Sequence, residues 1–233
     1  MIFNQINTMK KSRSNQIDKD EDIIIKNQME KMVDSYDLYM KRITLGREDA
    51  LRKMTVNLAQ VKGGDCVLEI GCATGSLTLA AKRQAGPTGK VFGIDIIPGM
   101  IEVSRKKAAE ANLVVTFQTA SIEAIPFPDG QFDVVICSFM IFHMSEKVRK
   151  KGIQEIHRVL KPKGKLLVLD LSLPPGRVSR TFLKIFLGFM LKHDLKELQP
   201  IMESSGFSHT EISRAKYRVF GLPLLSFVRA IKS

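Results

Sequence analysis

The order of apolar segments in this 233-residue chain predicts an α/β fold in which helices cover both faces of a parallel sheet. Short apolar runs, typical of buried strands, occur at 65–71, 90–95, 113–118, 132–138 and 164–170. Stretches with helical periodicity lie between and after them, at 76–84, 98–112, 145–160 and 194–205. Strands that alternate with helices pair in parallel through right-handed crossovers, so a single sheet accounts for all these runs.

Further elements are predicted on both sides of this alternation. Residues 1–22 are polar and rich in Lys, Ser, Asn and Asp, which predicts a disordered tail. Two amphipathic helices are predicted over 23–42 and 47–60. Two final strands are predicted near 208–218 and 224–231.

An insertion that is apolar nearly all round lies between the fifth strand and the last of these helices, over residues 174–192. Arg and Lys residues interrupt it at its ends and middle. One interpretation is a helix that packs on the core. The other is an apolar substrate wall that also contacts an anionic membrane surface.

A glycine-containing turn follows the first predicted strand and points to a nucleoside ligand. The strand Val67–Ile70 runs into Gly71, and a helix pattern begins near Ser76. Asp95 ends the next apolar run, 20 residues beyond Gly75. Glycines let the backbone approach a ligand closely, and a carboxylate at a strand end accepts hydrogen bonds from two ribose hydroxyls.

The spacing of this turn argues against a dinucleotide. Dinucleotide sites use G-x-G-x-x-G, with an anionic pyrophosphate at the helix N-terminus, whereas this chain has Gly71-x-x-x-Gly75 preceded by Glu69. A carboxylate at that position suits a cationic ligand better. The E-x-G-x-x-x-G pattern resembles the first motif of class I S-adenosylmethionine (SAM) methyltransferases, which usually have glycine at the position of Ala73. The alternative is an ordinary turn in a protein without a nucleotide.

Later segments extend this resemblance. Phe117–Ser138 resembles the part of these enzymes that covers the adenine, and Arg158–Val168 resembles their fifth strand with its preceding turn. The resemblance implies a Rossmann-like, seven-stranded, mostly parallel sheet with helices on both faces and an antiparallel C-terminal hairpin. It also implies lid helices at 23–62 and a SAM-binding domain at 63–233.

Three segments resemble a narrower group, the ubiquinone/menaquinone C-methyltransferases. They are Tyr36–Gly46, Ile125–Pro128 and Leu169–Ser172. The chain departs from this group at Phe142-His143, where an Arg-Asn pair is usual, and at Ser121, where an acid is usual. Its tail after the fifth strand is also shorter.

The resemblance assigns SAM contacts to particular residues of this chain. Asp95 would accept the ribose hydroxyls, and the carbonyls of Gly71 and Cys137 would accept from the ammonium. Glu69 would orient backbone amides near the sulfonium, or only organise the loop. The full set of expected cofactor contacts is Tyr36, Glu69, Gly71, Cys72, Ala73, Thr74, Gly75, Asp95, Ile96, Ser121, Ile122, Cys137 and Ser138.

The expected activity is methyl transfer to a small apolar acceptor, by C- or O-methylation of a phenol or quinol. His143, just after the fourth strand, is the candidate general base, and a structural role is its alternative. Three other functions remain open: a lipid or amine N-methyltransferase, an RNA methyltransferase and a non-catalytic SAM-binding scaffold. A homodimer is a further possibility.

Composition bounds the partners and the location. Residues 146–233 carry 18 Lys/Arg against 7 Asp/Glu, a net charge of +11 out of +12 for the chain. Such a surface attracts nucleic acid, anionic lipid or an acidic substrate, or is simply solvated. No RNA-binding signature accompanies it, which argues against nucleic acid. Cys66, Cys72 and Cys137 lack C-x-x-C spacing, so we expect free thiols, no metal site and a cytoplasmic location.

Overall fold

A computed structural model describes residues 23–172, 195–217 and 224–233 of the chain. These residues form one seven-stranded sheet in the order β3-β2-β1-β4-β5-β7-β6, in which β7 alone runs antiparallel to its neighbours. The strands are β1 Cys66–Ile70, β2 Lys90–Asp95, β3 Thr116–Thr119, β4 Phe132–Ser138, β5 Leu160–Leu171, β6 Phe207–Arg214 and β7 Leu225–Lys232. The predicted α/β fold with a closing antiparallel hairpin is therefore confirmed.

Helices precede the sheet and connect its strands. They are α1 (23–31), α2 Tyr36–Ile43, α3 Glu48–Leu58, α4 Ser76–Ala85, α5 Pro98–Glu110, α6 Glu146–Val159 and α7 Leu198–Ser204. Short 3-10 helices occur at Val33–Ser35, Ile141–His143 and Leu195–Glu197. None of the helices in the described ranges is long and apolar enough to span a bilayer.

The strand register aligns the carboxyl ends of the central strands at one edge of the sheet. Ile70 of β1 pairs with both Ile94 of β2 and Cys137 of β4. Ser138, at the end of β4, pairs with Leu169 of β5. The loops that leave these strands therefore meet at one edge, where open parallel sheets bind ligands.

Two apolar layers cover the sheet. On one face, Val67, Val134 and Leu167 pack with side chains of α3 and α4. On the other face, Leu68, Val135 and Val168 pack with side chains of α6 and α7. Because both faces of the sheet are covered, consecutive side chains of the central strands are buried, which explains why these strands read as nearly continuous apolar runs.

The element boundaries differ from the prediction at several points. The helix predicted over 23–42 is interrupted by the 3-10 helix at Val33–Ser35, where the Ser35 hydroxyl donates to the carbonyl of Met32. β3 starts at Thr116 rather than at 113, and β6 ends at Arg214 rather than at 218. β5 begins at Leu160, because the predicted tight turn lies inside the strand as an irregularity of its pairing with β4.

Some predictions fall outside the described residues. They are the disordered tail at 1–22 and the apolar insertion at 174–192. All three cysteines are free thiols.

Candidate active site

The loop after β1 holds its backbone across the ends of two neighbouring strands. The N–H groups of Gly71 and Cys72 both donate to the carbonyl of Ile94, at 2.8 and 3.0 Å. The backbone is left-handed at Gly71 and Gly75, with φ of +68° and +76°. Glycine adopts this conformation without steric cost, which explains both positions.

Ala73 occupies a strained position in this loop. Its φ is +45°, in the region where an L-residue costs about 1–2 kcal/mol. Two hydrogen bonds hold it there: its N–H donates to Asp95 Oδ2 at 2.8 Å, and its carbonyl accepts from Ser104 Oγ at 2.8 Å. The usual glycine of the motif can therefore be an alanine here without opening the loop.

Asp95 is a buried carboxylate that anchors two loops. Its second oxygen, Oδ1, accepts from the N–H of Ile97 at 3.0 Å. Burial raises the pKa of this carboxyl, and the backbone N–H groups of Ile97, Ala73 and Ile96 oppose that rise. Each oxygen keeps a lone pair after these bonds, so the carboxylate can still accept two hydroxyl groups.

Glu69 is a second buried carboxyl at the same edge. It is 3% exposed and forms a very short hydrogen bond with the Thr78 hydroxyl on α4. Its pKa is raised to about 8, chiefly by burial and also by the nearby Asp95, while Thr78 and Arg52 oppose the rise. A cation close to Glu69 would favour the ionised form, so the site favours a positively charged ligand.

Helix α2 is fastened over the glycine loop by contacts that the sequence did not predict. Asp37 accepts a hydrogen bond from the Thr74 hydroxyl at 2.7 Å and forms an ion pair with Lys107 of α5. Lys107 also donates to the Ser76 hydroxyl at 3.0 Å. Tyr36 packs beside Ala73, and its burial next to Glu69 and Asp95 raises its hydroxyl pKa.

A cleft lies between α2, α3 and the glycine loop. Seven of the predicted cofactor residues line it: Tyr36, Glu69, Gly71, Cys72, Ala73, Thr74 and Ser138. The side chain of Met140 closes one side, because a β-carbon on Gly71 would lie 3.0 Å from its Cγ and Cε. This close contact and the left-handed backbone both favour glycine at position 71.

The remaining predicted residues lie around the cleft rather than along its wall. Gly75 lets α5 approach, since a β-carbon there would lie 2.8 Å from the Cβ of Ser104. Ile96 is 48% exposed beside Asp95, so its apolar side chain is available to a ligand. Ile122 is buried in the core, which leaves only its backbone for an adenine. Ser121 uses its hydroxyl to accept from the N–H of Glu123.

Cys137 and His143 lie at the end of β4. The Cys137 side chain is fully buried, and burial raises the pKa of its thiol. His143 ends the 3-10 helix Ile141–His143, and its side chain is outside the described part of the structure. Its assignment as a general base stays a prediction.

Apolar side chains gather where β4 ends. Phe139 packs partly buried against the layer of α3 and α4. Met140, Phe142 and Met144 pack partly buried against the layer of α6 and α7. Of these four side chains, Phe139 lines the cleft and gives its wall an aromatic surface.

The chain was compared with known proteins. A family model described as a methyltransferase domain matches residues 67–164. A demethylmenaquinone methyltransferase from Symbiobacterium thermophilum is 32% identical over 173 residues, which cover 70% of this chain and 68% of the relative. The chain belongs to the demethylmenaquinone methyltransferase family. It is a SAM-dependent methyltransferase, which confirms the resemblance of its motifs to this class.

Two further comparisons define how far the similarity extends. A ubiquinone/menaquinone biosynthesis C-methyltransferase from a Marinomonas species is 36% identical over 145 residues, which span 61% of this chain but only 57% of that relative. A SAM-dependent methyltransferase structure from Aquifex aeolicus has 21% identity and a TM-score of 0.63, and the match covers 89% of this chain and 98% of the other. This structural likeness supports the fold.

The residues of the cleft fit SAM, the cofactor of this family. The ligand carries positive charge, and the buried carboxyls Glu69 and Asp95 lie at the ends of β1 and β2. Its ribose needs paired acceptors, and both Asp95 oxygens keep free lone pairs.

Proposed function

We propose that this enzyme methylates a small aromatic acceptor, a phenol or a quinol, at a ring carbon or at an oxygen. The observation that carries the proposal is the 32% identity to a demethylmenaquinone methyltransferase over most of both chains. Phe139 supports it, because it lines the cleft and offers a flat ring an apolar surface.

In this proposal the carboxyl edge of the sheet binds SAM, which supplies an electrophilic methyl group on a positively charged sulfur. Asp95 accepts the two ribose hydroxyls, and Ile96 lies against the adenine with the backbone at 121–122. The carbonyls of Gly71 and Cys137 accept from the ammonium group. Glu69 balances positive charge from beneath the loop.

The chain's other contributions are alignment, exclusion of water and removal of a proton. Helix α2 covers the cleft through Tyr36 and the Asp37 contacts, which keeps solvent away from the reacting groups. Phe139 packs against the acceptor ring in the cleft. His143 is positioned in the chain to take the acceptor's proton, and a purely structural role is the alternative.

The membrane contact and the homodimer that the sequence suggests are also proposals. No role is assigned to the basic C-terminal half. The segment at 174–192, which lies outside the described residues, is the part proposed to touch the acceptor or an anionic surface.

Transfer of a labelled methyl group tests the proposed function. The purified enzyme is incubated with methyl-labelled SAM and one of four acceptors: 1,4-dihydroxynaphthalene kept reduced, 1-aminonaphthalene, phosphatidylethanolamine vesicles or total RNA. We expect label in the dihydroxynaphthalene alone, and none with Asp95→Ala. Label in the amine, the lipid or the RNA would replace the proposed acceptor class, and label in none would favour the non-catalytic scaffold.

A further inference from the structure

Arg149 of α6 is a buried cation with unsatisfied hydrogen-bond donors. The residue is 6% exposed. Within the part of the chain that the structure describes, its Nε and Nη1 have no hydrogen-bond partner. Its guanidinium carbon lies 5.8 Å from the centre of the Phe142 ring, which supplies a cation–π contact but no acceptor. Burying unpaired donors and a charge is costly, so such groups call for a functional explanation.

Arg149 lies at the carboxyl edge of the sheet. Helix α6 returns from β4 towards the start of β5, so its first turn lies at the carboxyl edge. Arg149 precedes the fully buried Ile153 by one helical turn and lies on the same face of the helix. That face packs on the sheet beside Val168.

Asp170 of β5 lies on the same face of the sheet as Val168, the face that α6 covers. It lies two residues beyond Val168 and therefore faces the same side of the sheet. It is 4% exposed, and it accepts hydrogen bonds from the N–H groups of Leu171 and Phe142. Its Oδ2 has no hydrogen-bond partner in the described ranges. Asp170 thus fixes the backbone of Phe142, and the Phe142 ring contacts Arg149.

We propose that the Arg149 guanidinium binds the oxygen of the methyl acceptor, and that this oxygen is ionised, as in a phenolate or quinolate. The proposal rests on the proposed function, because it specifies how an aromatic acceptor is recognised. An anionic oxygen would pair with the donors that the protein leaves unsatisfied, while Phe142 packs on the same guanidinium. Asp170 acts as a positioning residue, through the Phe142 backbone.

The proposal predicts that Arg149 does not stabilise the folded protein. Replacing a buried, poorly paired charge by an apolar side chain of similar length is often neutral or stabilising. Arg149→Met should therefore melt at the same or a higher temperature than the wild type. Arg158 on the same helix is the matched control, because its guanidinium bonds to Glu155, to Asp129 and to the carbonyls of Ile125 and Phe127. Arg158→Met should melt at a lower temperature.

The binding test uses 4-nitrophenol, whose ionised form absorbs visible light. The full-length enzyme, saturated with S-adenosylhomocysteine, is titrated into 4-nitrophenol at a pH where half of the phenol is ionised. We expect binding to increase the absorbance, because the site selects the phenolate. 4-Nitroanisole, which cannot ionise, serves as the matched probe and should bind weakly to every variant.

Arg149→Met should weaken 4-nitrophenolate binding by about ten- to a hundredfold, the range for a hydrogen bond to a charged group. Arg158→Met should leave it unchanged. Arg149→Lys keeps the charge without the planar fork and should lie between the wild type and Arg149→Met. If Arg149→Met does not fold, the binding of 4-nitrophenolate by Arg149→Lys tests the proposal.

Three results would overturn the inference. They are unchanged binding in both Arg149 variants, equal binding of 4-nitroanisole, and no 4-nitrophenol binding by the wild type. The failure of the proposed function is distinguishable, because it appears as absent methyl transfer to dihydroxynaphthalene even when phenolate binding depends on Arg149.

Discussion

The buried carboxyl of Glu69 gives the most direct quantitative prediction. Its pKa is about 8 in the folded protein against an ordinary value of 4.5, chiefly because it is buried. Between these two values the folded state binds more protons than the unfolded state. The free energy of unfolding therefore falls as the pH rises through this window, and the stabilisation is complete only below the ordinary value.

The size of the effect follows from the shift. One pKa unit corresponds to about 1.4 kcal/mol, so raising the pH from 5 to 7 should lower the free energy of unfolding by about 3 kcal/mol through Glu69. For a chain of this length that is roughly 6–12 °C in melting temperature. Glu69→Gln cannot ionise but can still accept from Thr78, so it should lose this pH dependence.

Thermal melts of both proteins without ligand, at several pH values between 5 and 9, measure the effect. Burial also raises the pKa of Asp95, and raises that of Asp170 to about 7, but both groups remain in the variant. Only the difference between the two proteins therefore reports Glu69. Parallel pH curves for the wild type and Glu69→Gln would refute the reasoning.

The same carboxyl should couple cofactor affinity to pH. The sulfonium makes SAM more positive than S-adenosylhomocysteine, so SAM should favour ionised Glu69 and bind more tightly, relative to S-adenosylhomocysteine, as the pH rises through 8. Isothermal titration calorimetry of both ligands measures the ratio. A ratio that does not change with pH in the wild type would mean that Glu69 only organises the loop.

Three other substitutions separate cofactor binding, lid closure and loop geometry. Asp95→Asn keeps the shape of the side chain but loses its charge, so SAM affinity should fall about ten- to a hundredfold by calorimetry. Asp37→Asn removes the ion pair with Lys107, so amide exchange in α2 should become faster while the melting temperature changes little, as mass spectrometry can show. Gly75→Ala combines a positive φ with a β-carbon 2.8 Å from that of Ser104, so denaturant titration should show a loss of roughly 1–3 kcal/mol.

The strands and the cofactor loop could be predicted because their signals are local. A buried parallel strand is a continuous apolar run, and β1, β2 and β4 each show one. The turn at Gly71 and Gly75 requires a left-handed backbone, and glycine marks it in the sequence. Asp95 could be predicted to lie beside this loop because it is the last residue of β2, and ligands bind at the carboxyl ends of parallel strands.

The missed features depend on contacts between distant segments. The Asp37 contacts join α2 to Thr74 and to Lys107, which is 70 positions away, and no spacing rule connects them. The helix break at Val33–Ser35 was missed because apolar residues keep helical spacing through it. Arg149 stands in a run of basic residues that is typical of a solvated helix start, and only the packing of its face reveals that it is buried.

The distribution of buried charge along the carboxyl edge also bears on the choice between acceptor classes. The ends of β1 and β2 carry the carboxyls Glu69 and Asp95, while the first turn of α6 carries the cation Arg149, and burial raises the pKa of Asp170 on β5 to about 7. A cationic methyl donor is favoured beside Glu69 and Asp95, and a neutral or anionic methyl acceptor is favoured beside Arg149. An aliphatic amine acceptor, which is an ammonium ion at neutral pH, would be repelled by Arg149. Efficient methylation of an amine by the wild-type enzyme would contradict this argument, and its increase in Arg149→Met would support it.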